Sequence, residues 1–314
     1  FQARYVEEHR LGEGGCGAVF AGYRIKDHLP VSVQMVVVRQ AVTQIRDNIV
    51  METSAPVSLL EWFDFGRELI LVMERPVPAV DLDKYIEENG GFLPEDKAKV
   101  ILKQLVDAAK HLEDKHIFHR DIKSENILIE TGSDVPRVRI IDFGLSCFVK
   151  EQSQYRVFYG TEIYSPPEWY GRSCYRCGPT TVWQMGVVLY EALHAGDFNT
   201  TSFLKKRLKF KRHLSKNCRD FLDACLTKVP ETRPTLEELQ HHTCCLTDHL
   251  MCDKRMRCDA NDSLRSLTCL QRLAIKLLLQ FIGDVQKQRE FTGFKNDVIH
   301  AILVKLLLRH NVII

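Results

Sequence analysis

The chain has 314 residues, which is enough for one large two-lobed domain or two ordinary domains. Apolar residues make up 45% and charged residues 27%, and the formal charge of +2 is too small to indicate nucleic acid as a partner. No apolar run reaches the roughly 20 residues that a membrane-spanning helix needs. We therefore expect neither a nucleic-acid-binding protein nor a membrane protein.

Residues 1–74 predict a small β-rich lobe. Short β-rich runs, separated by turn signals, lie at residues 5–11, 18–25, 31–38 and 69–73. The segment 41–57 contains β-branched residues and Pro56, and it has no long helical stripe.

From Leu93 the apolar spacing changes to that of helices. Pro94, Glu95 and Asp96 mark a helix start, and apolar residues then recur at helical spacing as far as Leu112. Residues 182–193 are apolar almost all round, which predicts a buried helix. The expected fold class is α+β, with a small β-rich lobe, a larger helical lobe and a nucleotide-sized cleft between them.

The first motif is glycine-rich. Gly12, Gly14, Gly17 and Val19 have the spacing GxGxxGxV, in which glycines let backbone N–H groups approach phosphates between two strands. Taken alone this motif is weak, because any tight β-turn favours glycine.

The second motif, residues 119–126, has the spacing H-R-D-x-K-x-x-N and is a strong signal. In this arrangement Asp121 accepts or orients the proton of a substrate hydroxyl, Lys123 neutralises charge on the transferring phosphoryl group, and Asn126 binds magnesium. The third motif is Asp142-Phe143-Gly144, in which Asp142 would hold magnesium across the phosphates. The order of the three motifs makes chance a poor explanation.

A fourth motif, residues 160–169, contains Glu168. We predict that Glu168 pairs with Arg233 in the interior as a structural ion pair, in which loss of one partner leaves a buried charge alone.

In order, spacing and context these motifs resemble a protein kinase domain over residues 5–250, and the Pim serine/threonine kinases in particular. The Pim resemblance rests on residues 29–31, 74–78, 119–128 and 164–169. Pro76 has no backbone N–H, so adenine would keep one hinge hydrogen bond, to a carbonyl near Glu74. The implied domains are a kinase domain at 1–250, with N-lobe 1–74, hinge 74–80 and C-lobe 81–250, followed by an extension at 251–314.

The resemblance implies a monomeric enzyme that uses ATP and Mg²⁺ and phosphorylates Ser or Thr in basic protein segments. The positions implied to contact ATP are Leu11, Gly12, Gly14, Gly15, Gly17, Val19, Ser32, Gln34, Glu74, Pro76 and Asp81. The implied metal ligands are Asn126 and Asp142, and the implied partners of substrate arginines are Asp81, Glu125 and Asp197.

Two features depart from the kinase pattern. Gln34 stands where kinases have the lysine that grips the ATP phosphates, and losing a preorganised charge there costs about 3 kcal/mol or more in the transition state. The stretch between Gln34 and Glu74 is also short for a full αC helix plus two strands, and Glu52 is the best αC glutamate candidate. Either the αC region has diverged or the sequence lacks an exon. These departures leave two hypotheses open, a kinase with impaired or atypical turnover and a pseudokinase that binds or scaffolds.

The remaining features concern the end of the chain and its compartment. Apolar stripes at 264–281 and 299–307 predict a helical extension that packs on the back lobe, packs on itself or binds a partner. Eleven scattered cysteines and no visible leader at residues 1–10 favour a cytosolic or nuclear protein with free thiols. A basic run at 205–212 is interpreted first as a solvated helix face, and the alternatives are a nuclear address or a surface that repels basic peptides.

Overall fold

The front of the chain folds into a small antiparallel sheet. The computed structural model describes residues 1–14, 17–37, 55–66, 68–133, 135–150, 152–208, 210 and 213–245. The strands of this sheet are β1 (Tyr5–Gly14), β2 (Gly17–Arg24), β3 (Pro30–Val37), β4 (Leu59–Asp64) and β5 (Glu68–Glu74). They lie in the order β1-β2-β3-β5-β4, and every neighbouring pair is antiparallel. All four strands predicted here are present, and β4 is additional.

The two faces of this sheet carry different side chains. Val19 lies opposite Gln34 and Ala21 opposite Ser32, so these four residues share one face. The opposite face carries a small apolar core made of Tyr5, Val31, Val33, Ile70 and Val72. Because side chains alternate along a strand, burial of the two valines of β3 places Ser32 and Gln34 on the face away from this core.

Two further small sheets carry the motif loops. Their strands are β6 (Ala79–Asp81), β7 (Ile117–Phe118), β8 (Ile127–Glu130), β9 (Arg137–Ile140) and β10 (Cys147–Phe148). The first sheet has the order β6-β8-β9, and the second pairs β7 with β10. Because Ile127 pairs with Ile140, the loop that ends at Asn126 lies beside the loop that begins at Ile141.

The back of the described chain is helical. The helices are α1 (Leu82–Glu88), α2 (Glu95–Asp114), α3 (Pro167–Arg172), α4 (Cys177–Leu193), α5 (Thr200–Leu204), α6 (Lys216–Cys225) and α7 (Leu236–Gln240). The apolar side of α2, with Ile101 and Leu105, packs with α4 in the main core. Trp183 at the middle of α4 is fully buried, as the all-round apolar pattern predicts. The expected α+β architecture is confirmed.

Gly186 lets α4 pack closely against the end of α6. A Cβ at this position would lie 2.8 Å from the Cβ of Cys225 and 2.9 Å from Cγ of Leu226. In Gly186→Ala we expect overpacking to cost about 1–3 kcal/mol, offset by about 1 kcal/mol of helix propensity, which leaves a net loss of stability of up to about 2 kcal/mol. Denaturant unfolding measures this loss. The matched control is Gly171→Ala in α3, where a Cβ meets nothing within 4 Å, and equal effects of the two substitutions would contradict the packing argument.

The described residues belong to one unit, Phe1–Thr247. Within these residues, no helix is both long and apolar enough to cross a membrane. The predicted αC region at 41–57 lies largely outside the described residues, and the predicted extension at 251–314 lies entirely outside them.

Candidate active site

Asp121 lies at the centre of a hydrogen-bonded loop between β7 and β8. Asn126 Nδ2 donates to the backbone oxygen of Asp121 at 2.8 Å and to its Oδ2 at 3.2 Å. Thr161 donates to Asp121 Oδ1 from its backbone N–H and from Oγ1, each at 2.9 Å. Lys123 Nζ lies 3.8 Å from Asp121 Oδ2 and 3.7 Å from Glu125 Oε1. The carboxylate is therefore oriented from two sides, with an ammonium group beside it.

Asn126 and Asp142 lie side by side at the edge of the β8–β9 ladder. The backbone N–H of Ile141 donates to the Asn126 backbone oxygen at 3.0 Å, which places the next residue, Asp142, beside the Asp121 loop. Asp142 has a left-handed φ of 59°, and its Oδ1 accepts from Gly144 N–H at 3.1 Å. Amide and carboxylate oxygens are hard donors of the kind that Mg²⁺ prefers, so this donor set fits the metal implied by the sequence.

Buried residues beneath the loop fix its shape. His119 is 2% exposed, and its Nε2 donates to the Ile141 carbonyl at 3.0 Å. Burial lowers the pKa of His119, which favours the neutral ring with its proton on Nε2. The ring of Phe143 meets His119 edge-on at 4.8 Å between centroids. Gln184 Nε2, on α4, donates to the Arg120 carbonyl at 2.7 Å.

The glycine motif lies where β1 turns into β2. Gly14 pairs with Gly17, whose φ of 123° lies in the region that favours glycine. A Cβ at Gly17 would fall 1.8 Å from the carbonyl oxygen of Met35, so no larger residue fits there. Leu11 at the same end of β1 is 49% exposed. Gly15 lies outside the described residues.

Gln34 stands beside the other predicted nucleotide contacts of the sheet. Val19 lies opposite Gly12 on one side and opposite Gln34 on the other. Ser32 lies two residues before Gln34 and therefore on the same face. Gln34 is 8% exposed and supplies an uncharged amide to this face.

An ion-pair cluster that the sequence did not predict lies at the start of the predicted hinge, residues 74–80. Arg139 on β9 pairs with Glu74 at the end of β5, and its Nε lies 3.6 Å from Glu130 Oε1. The backbone N–H of Ser58 donates to Glu74 Oε1 at 2.7 Å. The Glu74 side chain is thus fixed, two residues before Pro76, which offers no N–H. The available signal was the arginine that lies between the two apolar residues of β9.

Four acidic residues lie near one another beside the loop that carries Asp121. Asp81 caps α1 by accepting from Lys84 N–H at 2.8 Å. Partial burial, together with the charges of Glu125, Asp81 and Asp197, raises the pKa of Asp83. The three acidic residues implied to bind substrate therefore all lie close enough to Asp83 for their charges to act on it. Asp83 is a fourth member that sequence reasoning missed.

Glu191 on α4 is a buried carboxylate that the sequence did not single out. Its Oε2 accepts from Ser124 Oγ at 2.7 Å and its Oε1 accepts from Phe198 N–H at 3.2 Å. Burial raises the pKa of Glu191 in spite of these donors. Glu191 therefore connects the loop between β7 and β8 to the segment that carries Asp197.

Glu168 and Arg233 form a buried ion pair away from these loops. Arg233 NH1 lies 2.9 Å from Glu168 Oε1, and NH2 lies 2.6 Å from Oε2. The fork-shaped contact joins α3 to the segment before α7.

Comparison with known proteins gives one family and several relatives. The family model described as "Protein kinase domain" matches residues 5–244. The chain is 34% identical over 267 residues to the serine/threonine-protein kinase pim-2 of Danio rerio, covering 77% of this chain and 84% of that protein. It is 31% identical over 262 residues to the serine/threonine-protein kinase prk-2 of Caenorhabditis elegans, covering 77% of this chain and 58% of the relative. It is 29% identical over 255 residues to sperm motility kinase 2B of Mus musculus, of which it spans 52%.

Proposed function

Because this chain belongs to the protein kinase family, as its Pim resemblance predicted, we propose that it is a serine/threonine kinase for basic protein segments. The transferred group would be the γ-phosphoryl of ATP. The observation that carries the proposal is the cluster of Asp121, Lys123, Asn126 and Asp142 around one loop edge. We expect a slow or atypical turnover, because Gln34 supplies no charge to the phosphates.

The loop residues support phosphoryl transfer in distinct ways. Asp121, held by Thr161 and Asn126, orients the substrate hydroxyl and takes its proton as the hydroxyl oxygen bonds to the γ-phosphorus. The bond from this phosphorus to the β–γ bridging oxygen breaks in the same step, and ADP leaves. The Lys123 ammonium, 3.8 Å from Asp121 Oδ2, neutralises charge that develops on the transferring group. Asn126 and Asp142 would hold Mg²⁺, which when bound neutralises the ATP phosphates.

The acidic surface supports the choice of substrate. The charges of Asp81, Glu125 and Asp197 all act on Asp83, beside the catalytic loop. Charge-assisted pairs between carboxylates and guanidinium groups are among the stronger polar contacts. A negatively charged surface also attracts positively charged ligands. Peptides with arginines near the phosphorylated hydroxyl therefore match this surface.

A second candidate function is a nucleotide-binding scaffold without turnover. The observation that favours it is the nearly buried, uncharged Gln34 on the sheet face that carries the predicted nucleotide contacts. Such a protein would still bind Mg-ATP through the glycine turn between β1 and β2 and through the carboxylate of Asp142.

Phosphate transfer by the purified full chain to an arginine-rich peptide tests the proposal. We expect Mg²⁺-dependent transfer above the Asp121→Asn blank, and weaker transfer to a peptide in which the arginines are replaced by glutamines. Wild-type transfer equal to the blank, together with a thermal shift on adding Mg-ATP, would leave the scaffold as the function. Absence of both transfer and thermal shift would overturn both candidates.

A further inference from the structure

Arg120, next to Asp121, faces aromatic rings. Its Cζ lies 4.7 Å from the ring centroid of Tyr155 and 4.9 Å from that of Tyr159. The ring of Phe118 is 6.0 Å away. The Nε of Arg120 is buried and has no hydrogen-bond partner among the described residues. None of the ion pairs found in the described part of the chain involves Arg120. Aromatic faces are thus the main contacts seen for this guanidinium.

The backbone of Arg120 is equally constrained. Its φ of 74° is left-handed, and its carbonyl oxygen accepts from Gln184 on α4 at 2.7 Å. Gly160 packs against the same carbonyl, because a Cβ there would lie 2.9 Å from the Arg120 oxygen. The side chain of Arg120 therefore points in a fixed direction, towards the segment that follows β10.

The rings around Arg120 are themselves anchored by Tyr175, which is 2% exposed. Tyr155 and Tyr175 exchange two backbone hydrogen bonds, of 2.9 and 3.1 Å. The Tyr175 hydroxyl donates to the Val157 carbonyl at 3.0 Å and accepts from Tyr159 N–H at 3.2 Å. Tyr155 and Tyr159 are therefore presented to Arg120 by a rigid support rather than by a free loop.

We propose that Phe118, Tyr155 and Tyr159 form an aromatic cage around Arg120. This cage docks residues 155–161 against the catalytic loop, and the docking needs no phosphorylated residue. A guanidinium over aromatic faces is attracted by the ring quadrupoles, and the attraction grows when water is excluded. Thr161, which orients Asp121, lies two residues after Tyr159. Tyr155 and Tyr159 are thus positioning residues for Asp121, and this inference does not depend on the chain being an active kinase.

Tryptic cleavage after Arg156, an exposed residue between the two tyrosines, reports on the docking. The measured quantity is the rate at which a new terminus at Val157 appears, by mass spectrometry. We expect Tyr159→Leu to raise this rate about threefold to tenfold, because leucine keeps apolar bulk but loses the ring. Tyr159→Phe keeps the ring and should cleave at the wild-type rate. Synthetic peptides of residues 150–162 with the same changes calibrate the intrinsic cleavage rates.

Arg120→Met closes a double-mutant cycle, because methionine keeps much of the side-chain length and removes the charge. In this background we expect Tyr159→Leu and Tyr159→Phe to be cleaved at equal rates. The proposal is overturned if leucine and phenylalanine behave alike in the wild-type background, or if their difference persists with Met at position 120. Tyr159 is 45% exposed, so its substitution is compatible with folding even where the same change at Tyr155 is not.

Discussion

The substitution Gln34→Lys is expected to raise the rate of phosphate transfer by about 10²-fold. Gln34 lies opposite Val19 and beside Ser32 on the face that carries the predicted nucleotide contacts. Its neutral amide can donate hydrogen bonds to phosphate oxygens but brings no charge. A fixed ammonium at a phosphoryl-transfer site is worth about 3 kcal/mol in the transition state, which corresponds to this rate factor.

Steady-state transfer to an arginine-rich peptide, at saturating Mg-ATP, measures the gain. Gln34→Met is the matched control, because it has similar length and no charge, and it should not exceed the wild type. Asp121→Asn added to Gln34→Lys should return the rate to the blank, which ties the gain to the same loop. An unchanged rate in a folded Gln34→Lys protein that still binds Mg-ATP would mean that residue 34 does not face the phosphates.

The cluster of candidate catalytic residues was predictable, because its members are close in sequence or are held by one strand pair. Asp121, Lys123 and Asn126 fall within one loop, and the β8–β9 ladder then carries Asp142 to the same edge. The position of Gln34 was also predictable, because strand alternation fixes which face a residue occupies once its neighbours are buried. The placement follows from these local rules, while the chemical roles of the residues stay predictions until they are measured.

The contacts that sequence reasoning missed join elements far apart in the chain. Arg139 pairs with Glu74 only because β9 lies beside the end of β5, and Glu191 contacts Ser124 only because α4 runs beneath the loop between β7 and β8. The rings around Arg120 are similarly contributed by β7 and by the segment after β10. Neither periodicity nor motif spacing encodes which distant polar groups will meet, since that depends on how packed elements are stacked. The only signal in the sequence was a charged residue flanked by apolar ones, and this signal does not identify the residue with which it pairs.

Among the substitutions considered, Arg233→Met has the largest expected effect on stability, a loss of about 3–5 kcal/mol in the free energy of unfolding. The side chains of Arg233 and Glu168 are 0% and 3% exposed. Arg233 Nε donates to the Thr227 carbonyl at 2.8 Å, and NH1 donates to the Pro179 carbonyl at 2.9 Å. The guanidinium also lies 5.0 Å from the ring of Trp183. Methionine would leave the Glu168 carboxylate buried without its partner.

Denaturant unfolding of matched variants separates this cost from a general effect of losing an arginine. The control is Arg172→Met, which breaks the Arg172–Glu231 pair, whose side chains are 50% and 59% exposed, and should change stability little. Adding Glu168→Gln to Arg233→Met should restore part of the loss, because the amide needs no counter-charge. If Arg233→Met cost no more than Arg172→Met, or if the second substitution made it worse, the stranded carboxylate would not be the origin of the loss. The buried ion pair between Arg233 and Glu168 would then contribute specificity of packing rather than stability.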